Sequence, residues 1–224
     1  SDEVVNMYKP NIPIVPLERE GSLPKGAINL TQDRRSRTRR TLAHRGLTEA
    51  VTFSFLSTEH ADLFGGSPKN IELVNPISSE LDIMRPSILP NLINAIGRNS
   101  DKGYNNTSLF EIGPQFSGEN PNDENIVAAG IRSQQAKLRT WNEAARDVDV
   151  FDVKADVLAV LNQIGGPVAS PQVMQGAASW YHPGKSGTFQ LGPQKIIAYF
   201  GDIHPAVLKA MNINIPMVAF EIYL

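Results

Sequence analysis

The chain has 224 residues, of which 41% are hydrophobic and 20% charged, and its formal net charge is −2. These values argue for an ordinary globular core and against a disordered chain, and a charge so close to zero selects no class of partner. Because cysteine is absent, disulfides and thiolate metal sites are excluded, which favours an intracellular, cytoplasmic protein. No apolar run approaches the roughly 20 residues that span a bilayer.

Residues 9–29 carry four prolines, at positions 10, 13, 16 and 24, and few periodic apolar residues. This composition predicts an extended linker, and residues 4–7 resemble the end of a helix. We therefore expect residues 1–29 to be the end of a preceding helical domain and a linker. Residues 30–224 are expected to form one module, and the sequence to be a piece of a longer chain.

The next elements are predicted to be short and mixed. Thr31 is expected to begin a helix that Gly46 ends, because glycine is common just after a helix C-terminus. Residues 49–55 alternate apolar and polar side chains, which predicts a strand. Thr58 is predicted to cap a short helix, and residues 71–74 to form a further strand.

Residues 75–116 are predicted to build the centre of the fold. Ser87 is expected to cap a helix whose first turn tolerates Pro90, since the missing N–H has no helical partner there. A polar loop is predicted at 99–106. Ser108–Phe116 alternates apolar and polar residues, which predicts a half-buried internal strand. We expect the other elements to pack on this helix and strand.

Strands outnumber helices in the remaining sequence and come in adjacent runs. They are predicted at 126–131, 169–178, 189–191, 195–200 and 217–224, the third and fourth as a hairpin turning at Gly192 and Pro193. Helices are predicted at 150–164 and 205–211, loops at 118–124 and 181–187, and Trp141 is expected to anchor the polar stretch 134–147. Adjacent strands favour an antiparallel sheet with helices packed on it, an α+β fold.

Six arginines lie within residues 34–45: Arg34, Arg35, Arg37, Arg39, Arg40 and Arg45. Guanidinium groups bind phosphates, so the run is a candidate nucleic-acid surface. Arginine is also favoured at subunit interfaces. At helical spacing these side chains point several ways, as on a solvated helix face. The residues alone leave all three interpretations open.

None of the four histidines lies at a metal-ligand spacing. His182 and His204 each precede a proline, which favours an extended backbone and a turn that the imidazole caps by hydrogen bonding; a catalytic base is the alternative. Residues 184–186 resemble part of a phosphate-binding loop, but Ser179 stands where its first glycine belongs. An acidic run at 147–152 suits a helix start better than a cation site.

Several segments together carry a family resemblance over nearly the whole chain. In order, they read DEVVNMYKPNIP, RRTLAHRGLTEAVTFSFLS, VNPISSELDIMRPSILPNLINAIGRN, SLFEIGPQF, VDVFDVKADVLAVL, YHPGKSG, FGDIHPAVL and PMVAFEIYL. They resemble the beta subunit of bacterial phenylalanine–tRNA ligase (phenylalanyl-tRNA synthetase), specifically its catalytic-like module. The resemblance implies a class II aminoacyl-tRNA synthetase-like fold, an antiparallel sheet flanked by helices. It also implies that catalysis belongs to the alpha subunit.

Class II chemistry needs arginines that grip ATP phosphates bidentately, and the resemblance implies that two of them are missing. Ser117 falls where the arginine of the second class II motif is expected, and the closing strand at 218–224 has neither arginine nor a glycine pair. We therefore expect this chain to be inactive and to hold no cofactor, whereas the intact enzyme uses ATP and magnesium. The degenerate cleft would comprise Arg85, Glu111, Ser117, His182, Lys185 and His204. A residual small-molecule site there is a rival interpretation.

The helix at 33–45 and the strand at 49–55 occupy the place of the first class II motif, which builds subunit interfaces. The resemblance implies that they pack against the alpha subunit in an assembly of two alpha and two beta subunits, so the chain supports that subunit structurally. The alternative is tRNA binding through the arginines of 33–45. Asp2 and Glu3 match an acidic pair that binds magnesium through oxygen ligands, which we expect only in the intact subunit.

Overall fold

The computed structural model describes residues 28–66, 71–78, 80–166, 172–192 and 195–224, and its fold is α+β. The helices described are α1 (Leu30–His44), α2 (Thr58–Leu63), α3 (Leu89–Asp101), α4 (Val150–Gln163) and α5 (Pro205–Ala210). The strands described are β1 (Thr48–Glu49), β2 (Phe55–Leu56), β3 (Ile83–Met84), β4 (Ser108–Phe116), β5 (Glu124–Ser133), β6 (Gln135–Lys137), β7 (Arg146–Asp147), β8 (Gln172–Gln175), β9 (Tyr181–Leu191), β10 (Lys195–Ile203) and β11 (Met217–Tyr223). A 3₁₀ helix at Pro121–Asp123 lies between β4 and β5.

Seven strands form one sheet in the order β1-β4-β5-β11-β10-β9-β8. Neighbouring strands are antiparallel except for β1 and β4, which are parallel. The last strand in sequence, β11, lies at the centre of the sheet between β5 and β10. The pairs β2–β3 and β6–β7 form two small separate sheets.

Helices cover both faces of the seven-stranded sheet. On one side, which we call the α3 face, Leu92 and Ile96 of α3 pack with sheet residues such as Leu109 and Ala219. On the other side, the α4 face, α1 and α4 pack against sheet residues such as Phe110. Side chains alternate along a strand, so each central strand contributes to both cores.

Side chains cap the starts of four of the described helices, α5 among them. Asn29, Ser57 and Asp149 cap α1, α2 and α4 by accepting hydrogen bonds from backbone N–H groups of the first turn. Such acceptors satisfy donors that have no partner inside the helix. The sequence prediction placed the first two starts at Thr31 and Thr58, within two residues of the observed caps.

The strand predicted at 49–55 is wrong. Only the ends of this segment pair with other strands, Glu49 of β1 with β4 and Phe55 of β2 with β3. Between them, Val51 is 90% and Phe53 67% exposed. The backbone of this segment is held by other groups. The N–H of Arg85 donates to the Ser54 carbonyl at 3.0 Å, and Asn91 Nδ2 donates to the Phe53 carbonyl at 3.1 Å. The apolar alternation therefore marks an exposed apolar segment, not a buried strand face.

Three other local predictions are wrong. The loop predicted at 181–187 is the first part of β9, which pairs with β10 across a register shift. The strand predicted at 71–74 is reduced to one bridge between Glu72 and Ile83. Trp141 is 96% exposed and anchors nothing, whereas Trp180 packs against the α3-face core.

The remaining predicted elements are largely confirmed. The helices α4 and α5, the strands β5 and β11 and the β9–β10 hairpin lie where the sequence predicts them. Strand β4 is internal as predicted, but it is buried on both faces instead of one, and α3 extends to Asp101, into the predicted loop. Of the strand predicted at 169–178 the described part is β8. Residues 1–27 and Pro193 lie outside the described residues.

Candidate functional site

An arginine–glutamate ion pair is buried where β4 meets the segment that precedes α3. Arg85 Nη1 lies 2.8 Å from Glu111 Oε1, and the two side chains are 1% and 5% exposed. The guanidinium also donates from Nε to the Pro114 carbonyl at 2.9 Å and from Nη1 to Thr52 Oγ1 at 3.0 Å. Thr52 Oγ1 donates in turn to Glu111 Oε2 at 2.7 Å. With the Phe53 carbonyl, which accepts from Nη1 at 3.5 Å, four oxygen atoms of the protein itself hold the Arg85 guanidinium.

Gly113 leaves the space that the guanidinium occupies. A Cβ at this position would lie 2.5 Å from Arg85 Nη2. Residues 111 and 113 face the same side of β4, because side chains alternate along a strand. A larger residue at 113 would push Arg85 away from the strand.

A second carboxylate, Glu221 of β11, is buried on the same face with neutral hydrogen-bond donors. It is 1% exposed. Ser87 Oγ and Gln115 Nε2 donate to Oε1 at 2.7 and 2.9 Å. Trp180 Nε1 and the Tyr181 hydroxyl donate to Oε2 at 3.2 and 3.3 Å. One carboxylate thus ties β4, β9 and the segment before α3 to the central strand.

Burial is the largest influence on the pKa of the Glu221 carboxylate. Desolvation raises the pKa of Glu221 above its ordinary value, and the four hydrogen bonds oppose that shift. Burial and the nearby Glu221 charge raise the pKa of Tyr181, and the same two causes raise the pKa of Tyr223. Both tyrosines therefore stay neutral at physiological pH, and the Tyr181 hydroxyl remains a donor to Glu221.

Glu111 and Glu221 project from the α3 face two strands apart. Both pair with Ala129 of the intervening β5, so strand spacing puts their backbones roughly 10 Å apart. We call the two hydrogen-bonded groups together the α3-face network; its members are Thr52, Arg85, Ser87, Glu111, Gln115, Trp180, Tyr181 and Glu221. Binding a phosphate at Arg85 would require breaking a buried ion pair, which costs about 3–5 kcal/mol in other proteins.

Ser117 lies apart from this network, just after β4. Its backbone N–H and its Oγ both donate to the Asp123 carbonyl at 3.0 Å. It closes the exposed turn between β4 and β5. The position that the resemblance assigns to a phosphate-binding arginine therefore holds a short turn residue.

His182, Lys185 and His204 lie together at the other end of the sheet, on β9 and just after β10. The imidazoles of His182 and His204 stack with centroids 6.0 Å apart. Each Nδ1 accepts a backbone N–H at 3.1 Å, from Gly184 and Ala206 respectively. Both imidazoles accept a backbone N–H as predicted, but His182 does so within β9 and not in a loop, and His204 caps α5.

Three of the six arginines of α1 and its C-terminal cap are bound to carboxylates. Arg37 pairs with Asp33 at 2.8 Å and Arg39 with Glu49 at 2.6 Å. Arg45 pairs with the fully buried Asp156 of α4, which Arg132 of β5 also contacts at 2.7 Å. Arg34, Arg35 and Arg40 have no carboxylate partner among the described residues. Three arginines of the run are therefore paired with carboxylates of this chain, and the other three are cations without such a pair in the described part of the chain.

Sequence reasoning missed Glu221, Gln115, Trp180 and Tyr181 as a connected group. One signal was available: Glu221 is the single charged residue in the apolar strand MVAFEIY. It shares a face with Ala219 and not with Val218 and Phe220, so its burial could have been inferred. Its partners come from three distant segments, which no local pattern connects.

In the described part of the chain, no group of three or more histidine, aspartate or glutamate side chains is placed to hold a metal ion. Asp2 and Glu3 lie outside it. No helix among the described residues is both long and apolar enough to cross a membrane.

Comparisons with known proteins agree with the resemblance. The sequence matches the family described as "Phenylalanyl tRNA synthetase beta chain CLM domain" over residues 17–224. It is 48% identical over 222 residues to the phenylalanine–tRNA ligase beta subunit of Rhodospirillum rubrum, covering 99% of this chain and 28% of the relative. The corresponding protein of Paramagnetospirillum magneticum is 48% identical over 220 residues, with 98% and 27% covered. The chain thus spans little more than a quarter of these relatives' length.

The fold is shared with solved synthetase structures. Two structures of pyrrolysyl-tRNA synthetase from Desulfitobacterium hafniense are similar, with TM-scores of 0.63 and 0.61, at 14% identity. They cover 87% and 85% of this chain, and the chain covers 66% and 62% of them. This likeness confirms the predicted α+β, class II synthetase-like fold. Together with the match over residues 17–224, the sequence relationship shows that the chain belongs to the family of phenylalanyl-tRNA synthetase beta chain CLM domains.

Proposed function

We propose that this chain is a non-catalytic structural module of the beta subunit of a phenylalanine–tRNA ligase. The intact enzyme would join phenylalanine to its tRNA with ATP and magnesium, in the cytoplasm, as an assembly of two alpha and two beta subunits. Catalysis would belong to the alpha subunit, which this module supports by packing against it. The relatives' name and the motif resemblance support this proposal.

The closed α3-face network is the observation that carries the proposal. Arg85, the arginine nearest the expected phosphate position, is 1% exposed and paired with Glu111. Ser117 offers no cation, and Glu221 occupies the closing strand with its own four donors. One lost electrostatic contact of this kind reduces transition-state stabilisation by about 3 kcal/mol. Losing both phosphate contacts should leave no measurable adenylate formation.

The exposed apolar segment between β1 and β2 is the surface that we assign to the alpha subunit. Val51 and Phe53 are 90% and 67% exposed. Both line an open cleft of about 960 Å³, together with Asn91 and Arg98 of α3. Exposed apolar side chains rimmed by polar groups are typical of interaction sites, and aromatic residues often dominate their binding energy.

Replacing Phe53 tests this surface in the intact enzyme. Phe53→Asp should weaken alpha–beta association by about tenfold or more, because a charge replaces an aromatic contact. Sedimentation velocity measures the association. Tyr104→Asp is the matched control: Tyr104 is 68% exposed but follows the far end of the 13-residue α3, roughly 20 Å away along its axis. Equal association in the two variants would contradict the assignment.

Calorimetric titration tests the non-catalytic role. The chain should give no saturable heat with ATP–magnesium and phenylalanine, and saturable heat with purified alpha subunit. Saturable binding of ATP at micromolar concentration would contradict the proposal, because it would require a phosphate contact that the α3-face network does not offer.

Binding of tRNA through α1 is a second candidate, favoured by the three arginines without a carboxylate partner. With no more than three phosphate contacts from Arg34, Arg35 and Arg40, the logarithm of affinity should fall with the logarithm of salt concentration at a slope no steeper than about −3. The variant Arg34→Ala/Arg35→Ala should flatten that slope, whereas Arg39→Ala, which removes a residue paired with Glu49, should leave it unchanged. RNA affinity that does not respond to the double variant would exclude this surface.

The N-terminal part also belongs to the proposal. Residues 1–29 would be the end of a preceding helical domain and a linker, and residues 30–224 the module; the family match begins within the first of these, at residue 17. Asp2 and Glu3 would contribute oxygen ligands to magnesium only together with carboxylates from elsewhere in the intact subunit.

A further inference from the structure

The stacked histidines at the ends of β9 and β10 form a site outside the α3-face network. His182 and His204 stack at 6.0 Å with an interplanar angle of 23°. Each Nδ1 accepts the backbone N–H of the residue two positions later, at 3.1 Å. The backbone therefore fixes both rings, and the described residues supply no partner for either Nε2.

These hydrogen bonds determine which ring nitrogen carries the proton. A nitrogen that accepts a hydrogen bond has no proton, so in the neutral rings of His182 and His204 the proton is on Nε2, which is a donor. A metal ion would need a lone pair on Nε2, and the proton would then move to Nδ1, against a backbone N–H. The pair is therefore suited to a hydrogen-bond acceptor and unsuited to a metal ion.

A cavity adjoins His182 and adds positive charge and apolar surface. Its volume is about 560 Å³, within the range of small-molecule sites. Lys185 and Lys209 line it together with one carboxylate, Asp202. Lys185 Nζ lies 3.4 Å from Asp202 Oδ2, and the lysine side chain is 64% exposed. Lys209 has no side-chain partner among the described residues, so the cavity carries one more cation than anion.

The remaining wall of this cavity is apolar. Leu208 of α5 and Ile213, both less than one-tenth exposed, line it with Ile215. A ligand that fills it must therefore satisfy donors and cations on one side and an apolar surface on the other. An inorganic ion would use the first side only.

We propose that this cavity binds a small organic anion, with its carboxylate or phosphate at His182 Nε2–H, Lys185 and Lys209 and its apolar part against Leu208, Ile213 and Ile215. His204 positions His182 by stacking. The anion competes with Asp202 for Lys185. This site is independent of the proposed support of the alpha subunit.

Phenyl phosphate and benzoate are the probes that test the site, with inorganic phosphate and phenol as half-ligands. Binding to the full chain is followed by the ¹⁵N chemical shifts of the histidine side chains. We expect saturable binding of phenyl phosphate or benzoate, at least about tenfold weaker binding of inorganic phosphate, and none of phenol. A preference between the two aromatic probes identifies phosphate or carboxylate as the head group. Equal binding of phenyl phosphate and inorganic phosphate would overturn the proposal.

Variants connect the binding to these residues. His182→Phe should weaken binding by about tenfold or more. Lys185→Met should also weaken binding, and because it changes only an exposed side chain, the variant should fold normally. Asp202→Asn should strengthen it roughly threefold by releasing Lys185. His44→Phe is the control, since His44 lies on α1 and its Nδ1 bonds a backbone carbonyl. The proposal is wrong if Lys185→Met and Asp202→Asn both bind the probes as the unaltered chain does.

Discussion

At the scale of single residues, two buried glutamate carboxylates are stabilised by different kinds of partner. Glu111 is neutralised by the Arg85 guanidinium, whereas Glu221 is surrounded by four uncharged donors. Burial raises the pKa of Glu221, and the four uncharged donors oppose that shift only in part, so the stability of the fold should depend on whether Glu221 is ionised.

The pH dependence of Glu221→Gln tests this difference. Because the folded-state pKa is raised, Glu221 stabilises the fold fully below its ordinary pKa and loses that contribution as pH rises through the raised value. Glutamine does not titrate, so the stability advantage of the unaltered chain over the variant should shrink as pH rises from about 4.5. The limit is about 1.4 kcal/mol per pH unit between the two pKa values.

Urea unfolding between about pH 4.5 and 7.5 measures this difference. Glu119→Gln is the control for the loss of a carboxylate, since Glu119 is exposed in the turn after β4. A stability difference for Glu221→Gln that does not change with pH would show that Glu221 has the same pKa in the folded and unfolded chains.

Some of these residues could be identified from sequence and some could not. The resemblance named Arg85 and Glu111, but their contact depends on Gly113 leaving space for a guanidinium, which no motif states. The histidine caps followed from His–Pro dipeptides, because the proline restricts the backbone locally. The Glu221 group joins residues 87, 115, 180, 181 and 221, and only the folded sheet brings them together.

At the scale of helices and strands, ion pairs between charged side chains hold two helices in place on the sheet. Asp156 of α4 is fully buried and accepts from Arg132 of β5 and from Arg45, just after α1. Arg132 Nη2 also donates to the Arg45 carbonyl at 2.8 Å. One carboxylate thus fixes α1, α4 and the sheet relative to one another. Arg45 thus joins α1 to α4 through its Nε, although a third of its side chain stays exposed.

The start of α4 depends on a capping box that a single substitution should weaken. Asp149 accepts from the N–H groups of Phe151 and Asp152 at 2.8 and 3.2 Å. Asp149→Ala should lower the free energy of unfolding by about 1 kcal/mol, because those donors lose their partner. Chemical denaturation measures it. Asp147→Ala, an exposed acidic residue two positions earlier, should change stability by less than about 0.5 kcal/mol, and an equal loss in both variants would argue for a general charge effect.

Long periodic elements were predictable and short ones were not. Helices α3 and α4 show apolar spacing over several turns, and β4 and β11 show it over seven or more residues. Strands β1, β2 and β3 have two residues each, too few for any period. The apolar alternation at 49–55 was misleading because Val51 and Phe53 are exposed, so the pattern does not mark a buried strand face.

At the scale of the whole molecule, stability should be unevenly distributed. The central strands β5 and β11 lie between two cores, whereas the β2–β3 pair rests on a small cluster of Leu56, Ala61, Ile71 and Ile83. Amides of β5 and β11 should exchange with solvent only through global unfolding, and those of β2 and β3 through local opening. Native-state hydrogen exchange in low urea measures the free energy of opening for each amide. That free energy should fall steeply with urea concentration for β5 and β11 and only slightly for β2 and β3. Equal dependences would mean that the region of Phe53 is not a separate unit.

The central place of β11 has a consequence for synthesis. Its neighbour β5 ends at Ser133, but β11 begins only at Met217, so the ribosome delivers the two halves of the sheet before the strand that joins them. At about 5–20 residues per second, β5 waits on the order of ten seconds with one edge unpaired. An unpaired edge of this kind can bind other nascent chains. That edge is closed only when β11 pairs with β5 and β10.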